Sequence, residues 1–240
     1  MVDTASQRTD DADSVEAVLR SATDPGGTRL LPWAVAPLAG SARVLDLCCG
    51  SGPLADELAG RWVGVDPHAT SGRRPIVGAT PAALPLRDNA VDGAVLLLVL
   101  PRLPELDTVF AELRRVLRPG GTLVVVVPSA GPRTLAELRL APLLFPVHRS
   151  GWPHRSALDS AGWLLAAADF AVLADDRAAF AVPMPDGDAA RALATDLPRA
   201  GLWPPTLPAN VREKLVAGLV RRAGPGRTLP VPMRRLVGRR

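Results

Sequence analysis

Two apolar runs that each end in an acid constrain this chain more than anything else in it. The first is Arg43-Val-Leu-Asp-Leu-Cys-Cys-Gly-Ser-Gly52 and the second is Val63-Gly-Val-Asp66. Short apolar runs of this kind read as buried strands, and the small residues after the first read as a tight turn into a helix. Two such strands side by side put two carboxylates at their carboxyl ends, where an α/β sheet builds a nucleoside site. Residues 118–127, Arg-Pro-Gly-Gly-Thr-Leu-Val-Val-Val-Val, add a further strand in the right order.

Around these runs the chain alternates strand and helix patterns, the signature of βαβ units. Strands are expected near 43–48, 61–65, 75–78, 91–99 and 121–127, and helices near 52–59 and 105–117. The second helix is the clearest: Leu106, Val109, Phe110, Leu113, Val116 and Leu117 share one face, with charged residues opposite. Between Asp66 and the third strand the link Pro67–Arg74 reads as a loop. Upstream, residues 1–12 are polar and are expected to be a disordered tail. Asp13 with Glu16 reads as a capping box opening a helix, and Leu30–Leu38 is a second apolar segment. Downstream of Pro128, residues 129–155 are proline-rich. A helix over 157–168, a strand near 176–183, a helix near 209–222 and a last strand near 229–237 follow. The expected organisation is a single domain over 13–240, with halves 43–127 and 128–240.

Composition narrows the class. No window reaches the roughly 18 apolar residues that a membrane span needs, and Met1–Ser14 is acidic and polar, unlike a secretory leader. The two cysteines, Cys48 and Cys49, are adjacent and cannot form a stapling framework, so a reducing, cytoplasmic setting is expected. Positive charge is carried almost wholly by arginine, with Lys214 the single lysine and a net charge of +4. Arg221, Arg222, Arg234, Arg235, Arg239 and Arg240 crowd the end, where a solvated face is favoured over a nucleic-acid surface.

The runs at 43–52 and 63–66, with Leu113-Arg-Arg-Val-Leu-Arg-Pro-Gly-Gly121, resemble the class I S-adenosylmethionine-dependent methyltransferases, in particular their small-molecule group (methyltransferase type 11-like). The resemblance covers roughly 43–127 in motifs and the rest only in layout. It implies a doubly wound, Rossmann-like seven-stranded α/β sheet with an antiparallel last strand, and S-adenosylmethionine as cofactor. It also implies N-terminal helices over the donor site and a C-terminal cap. Cys48, Gly50, Ser51 and Gly52 form the turn against the methionine tail, with Cys48 where many relatives have glycine. The resemblance implies that Asp46 sits near the methionine amine and that Asp66 accepts the ribose hydroxyls. Pro67 follows that acid. Relatives carry Gly-Asp-Ala-x-x-Leu-Pro at the adenine edge; aligned on Leu84-Pro85, Thr80 replaces the acid, with Pro81 beside it. Leu97 and Leu98, ending the fourth strand, pack on the donor. A dinucleotide-binding enzyme would share the acid after its second strand, but the chain has no G-x-G-x-x-G. No spacing of acids reads as a metal site.

The acceptor is less legible. The segment Leu97–Pro104 lacks the Asn/Asp-Pro-Pro-Tyr and Pro-Cys patterns of base-methylating enzymes, which counts against a nucleic-acid acceptor; Arg102 stands where some relatives have histidine. Methylating a neutral hydroxyl needs a general base, and His148 and His154 in Phe145–Arg155 are the candidates, with Trp152, Arg149 and Arg155 as acceptor contacts. Trp203 offers a second loop aromatic. Trp33, Trp62 and Trp163 read as core, Cys49 as packing, and His68 as lying by the adenine or in solvent. The leading expectation is O-methylation of a small molecule, a sugar or glycoside first. The alternatives are carbon methylation of a quinone-type or polyketide-like metabolite, a fold that binds without turnover, and an RNA methyltransferase. A homodimer is compatible with the sequence.

Overall fold

A computed structural model describes residues 4–69, 74–129 and 135–240. The chain opens with α1 (Thr4–Ser21) and α2 (Leu30–Val35), then β1 (Val44–Leu47), β2 (Trp62–Asp66), β3 (Ile76–Gly78) and β4 (Val91–Leu97). There follow α3 (Leu106–Val116), β5 (Leu117–Pro128), α4 (Leu135–His148), α5 (Ser156–Asp159), α6 (Ala161–Ala167), β6 (Ala171–Pro183), α7 (Gly187–Arg199), α8 (Ala209–Val220) and β7 (Thr228–Arg239). The sheet has seven strands in the order β3-β2-β1-β4-β5-β7-β6. Strands β1 to β5 pair in parallel. Reciprocal bonds from Gly120 N–H to Arg240 C=O (2.9 Å) and from Arg240 N–H to Gly121 C=O (3.0 Å) make β7 antiparallel to β5.

The chain forms two compact units. Residues 31–127, 154–177 and 234–240 make one, and residues 1–30, 128–153 and 178–233 the other. The expected half 43–127 lies wholly in the first. The expected half 128–240 is divided between both.

In the first unit β1 and β4 are buried almost end to end, and β5 is buried from Leu123 onward, as continuous apolar runs in a parallel sheet should be. The periodicity of α3 is realised, with Val109, Phe110, Leu113 and Val116 buried. In the second unit Ser14 donates to Asp196 (3.1 Å) and Arg199 to Asp11 (2.7 Å), fastening α1 to α7.

Several local expectations change. The stretch 52–59 is a series of turns, not a helix. Gly52 (φ 79°) and Gly60 (φ 73°) bracket it, and so short a segment cannot sustain a helix without strong packing. The first helix starts at Thr4, so Asp13 and Glu16 lie inside it and residues 4–12 are helical rather than a loose tail; residues 1–3 lie outside the described ones. Most of the proline-rich stretch is α4, with Pro142 and Pro146 one turn apart and exposed while Leu140, Leu144 and Val147 are buried. Burial of that face outweighs the two missing N–H donors. The helix at 157–168 breaks at Ser160 into α5 and α6. The Pro119-Gly120 turn is a bulge within β5, where pairing steps from Val91↔Leu117 to Gly93↔Thr122. Helix α7 was not anticipated, although its Asp186 cap and the Ala190, Leu193, Ala194, Leu197 face are both legible in the sequence.

Candidate donor site

The chain leaves β1 toward β2 and β3 on one side, and β4 toward β5 on the other, so the β1/β4 border is a topological switch point where open α/β sheets bind ligands. Both strands end on a non-glycine residue in the left-handed region, Cys48 (φ 56°) and Leu98 (φ 61°). Each such residue costs on the order of 1–3 kcal/mol and persists only where the surroundings fix it. Leu98 is fixed by its N–H to Val126 C=O (2.8 Å) and by its buried side chain. Leu97 is half-buried.

At the tip of β2, Asp66 accepts the backbone N–H of Gly50 on Oδ2 (2.9 Å) and that of His68 on Oδ1 (2.7 Å). The carboxylate therefore ties the turn after β1 to the turn after β2. A carboxylate offers about four acceptor positions, so each oxygen keeps one for a vicinal diol. Pro67 and His68 are exposed beside it, and Gly50 and Ser51 face the same edge with at least partial exposure.

Asp46 is buried on β1 and accepts the Trp62 indole N–H on Oδ2 at 2.9 Å. Burial pushes its carboxyl up to about 7; the indole bond works against that and the charge of Asp66 adds to it. Such a group favours an incoming cation, because pairing repays its desolvation. The Trp62 ring lies across two glycines. A Cβ on Gly64 would fall 2.3 Å from the indole, and one on Gly52 2.9 Å from it and 3.1 Å from Arg74. Only glycine fits there. Arg74 donates to Ser51 C=O (3.2 Å) and pairs with Asp56 (3.0 Å), bracing the same turn. Trp62, read from sequence as core, is thus half-buried and bonded to a candidate site acid. The signal for it was Gly64, since a lone glycine inside a strand marks a close approach.

Beyond β3, the Thr80 hydroxyl accepts the Ala82 N–H (3.3 Å) and closes its own turn, with Pro81 buried next to it. Leu84 is held by its N–H to Glu112 (2.7 Å) and its carbonyl to Arg115 (3.1 Å). The side-chain bond from Arg115 holds the Glu112 carboxyl below the usual carboxylate range. Burial pushes the Cys48 thiol up to about 12 and raises Cys49 as well, with both acids adding to each, so neither is a thiolate nucleophile.

Of the acceptor-side residues, His154 and Arg155 belong to the unit that carries the donor residues; His148, Arg149 and Trp152 belong to the other. His154 donates its backbone N–H to Pro101 C=O (3.0 Å), in the turn that directly follows β4. Arg102, next in that turn, is close enough to Cys48 to influence its titration. Arg155 is exposed and faces Asp159 at 3.7 Å. His148 closes α4 rather than sitting in a loop, and burial lowers its pKa. Arg149 stacks on Phe145 (5.0 Å). The Trp152 indole nitrogen is buried with no hydrogen-bond partner. Trp203 is 2% exposed and is core, not a ligand face, whereas Trp163 is 68% exposed and is not core. Trp33 is half-buried beneath Arg235 (4.5 Å). Among the described residues no cluster of His, Cys, Asp or Glu could hold a metal ion, and no helix is long and apolar enough to cross a membrane.

Residues 45–125 match the family model described as a methyltransferase domain. No curated protein matches the sequence. Among solved structures, a candidate type II methyltransferase from Anaeromyxobacter dehalogenans is 23% identical, with 90% of this chain and 96% of that one covered and a TM-score of 0.55. A candidate methyltransferase from Bacillus halodurans is 16% identical over 87% of this chain and 97% of its own, with a TM-score of 0.52. The [4+2]-cyclase SpnF is 19% identical over 88% and 79%, with a TM-score of 0.51. At these identities the likeness is one of fold.

Proposed function

We propose that the chain, whose residues 45–125 match a methyltransferase-domain model, is a class I S-adenosylmethionine-dependent methyltransferase that transfers the methyl group to a hydroxyl of a small molecule, a sugar or glycoside first among them. The donor supplies a carbon already activated by its sulfonium. What remains for the protein is alignment, which is worth on the order of 7–11 kcal/mol in a well-held pair, and removal of the hydroxyl proton.

The residues present fit the donor. Asp66 has acceptor positions for a diol, Asp46 is a buried carboxylate suited to an ammonium, and the Cys48–Gly52 turn lets backbone approach a ligand closely. The hydroxyl reading rests on one observation above the others: the backbone bond from His154 to Pro101 fixes a histidine beside the turn that leaves β4. An imidazole there would take the hydroxyl proton as general base, an effect typically worth ~10²–10⁴ in rate. His148, on the other unit, is the second candidate, its pKa lowered by burial. The test is labelled methyl transfer across glycosides, phenols, quinols and RNA, comparing the native protein with His154→Asn. Transfer to a hydroxyl that collapses in the variant supports the reading; transfer to carbon that survives it moves the assignment to carbon methylation.

A second reading, a fold that binds the donor without turnover, is favoured by Thr80. Where relatives have an acid, its hydroxyl serves its own turn. The likeness to SpnF, named as a cyclase, fits a fold that does not oblige methyl transfer. That reading expects donor binding and no labelled product on any acceptor.

A further inference from the structure

We propose that Trp62 is a positioning residue of the donor site, its indole N–H and ring together holding the Asp46 carboxylate and the Gly52 turn in the arrangement that receives the methionine tail of the donor. The proposal rests on the donor-binding reading above.

The geometry that carries it is a diagonal. Trp62 stands opposite Val44 and Gly64 opposite Asp46 in the β1–β2 register, and alternate residues of a strand share a face. The indole therefore crosses Gly64 to reach an acid one pair farther along, and its Nε1 arrives 2.9 Å from Oδ2. The far edge of the ring continues to Gly52, at the end of the turn that Arg74 braces. One side chain thus touches both the carboxylate and the turn. A residue that only filled space would need neither the N–H nor a glycine at 64.

The titratable groups that face Asp46 are Asp66, Cys48 and Cys49, with Arg102 acting on Cys48 from beyond. The two thiols stay neutral, and Asp66 disfavours a second negative charge nearby. The indole N–H supports the ionised form of Asp46. Without it the carboxyl holds its proton to higher pH, and a ligand carrying an ammonium must displace that proton to bind.

The experiment titrates S-adenosylhomocysteine, which carries the same amino-acid tail, into the full chain by calorimetry from pH 6 to pH 9. The native protein should bind more tightly as pH rises through about 7 and then level off. Trp62→Phe keeps a ring and loses the N–H; it should bind about 10-fold more weakly at pH 7, with the plateau displaced to higher pH. If Trp62→Phe does not fold, benzothienylalanine at position 62 keeps the bicyclic shape with sulfur in place of N–H and carries the same expectation. Unchanged affinity and pH profile in whichever variant folds would overturn the positioning role while leaving the donor reading intact. Failure of the native protein to bind at any pH would instead remove the donor reading, and this proposal with it.

Discussion

Gly50 donates its backbone N–H to Oδ2 of Asp66 across 2.9 Å, joining the turns that follow the first two strands. Through this bond the acid proposed to read the ribose also sets the shape of the loop proposed to receive the methionine tail.

Replacing Asp66 should therefore cost more than one contact. Hydrogen bonds to a charged group contribute about 1.5–3 kcal/mol each, so Asp66→Ala is expected to weaken S-adenosylhomocysteine binding by about 100-fold or more in calorimetry. Slower donor binding alone, with affinity unchanged, would mean that the ribose lies elsewhere.

Cys48 offers a test of strain. Its φ of 56° is unfavourable for any residue with a Cβ and free for glycine. Cys48→Gly should raise stability by up to about 1 kcal/mol, because relief of strain exceeds the entropy glycine adds to the unfolded chain. Cys48→Val should lower it by about 2 kcal/mol, since a β-branched side chain is worst placed there. Chemical denaturation of the three proteins gives both signs; equal midpoints would show that the turn relaxes at no cost.

Asp46 sets a pH dependence. Its folded pKa, about 7, lies above its ordinary value of 3.8. A carboxyl raised in the folded state leaves stability intact below its unfolded pKa and lowers it as pH climbs through the folded one. The native protein should lose stability between pH 4 and pH 8, by up to a few kcal/mol at that shift. Asp46→Asn keeps an acceptor for the indole and removes the ionisation. The variant should match the native protein near pH 4 and exceed it at pH 8 in thermal melts, while binding the donor product poorly. A native–variant difference that stays flat with pH would contradict this.

Glu112 tests how the edge beyond β3 is held. It bonds Leu84 N–H at 2.7 Å and Arg115 at 2.7 Å, and its pKa is lowered mainly by that arginine. A depressed carboxyl contributes stability above its unfolded pKa that is lost as pH falls. Glu112→Ala should cost about 1–2 kcal/mol at pH 7, through the Leu84 N–H it leaves without its partner, and less at acid pH. Hydrogen exchange should quicken at Leu84. Unaltered exchange there would mean that Arg115 alone holds the loop.

The sequence by itself determined the strands of the parallel core. The run Leu123–Val127 is apolar on both faces, and Val44–Leu47 is buried throughout with Asp46 as its one acid; only a sheet covered on both sides buries such runs. It also determined the two acids, because a carboxylate at a strand end is set by chain position alone. Tertiary structure decided what those acids touch. Trp62 is an ordinary aromatic in the chain, and its bond to Asp46 exists because the β1–β2 register and the missing Cβ of Gly64 let the indole cross between strands. It decided also that 52–59 stays in turns while α4 is helical through two prolines. Helix formation in segments so short or so interrupted is governed by what the face packs against, and local preference gives no sign of that. The histidines divide in the same way: His154 reaches the β4 edge through a backbone bond to Pro101, a contact between segments far apart in the chain that no local pattern encodes.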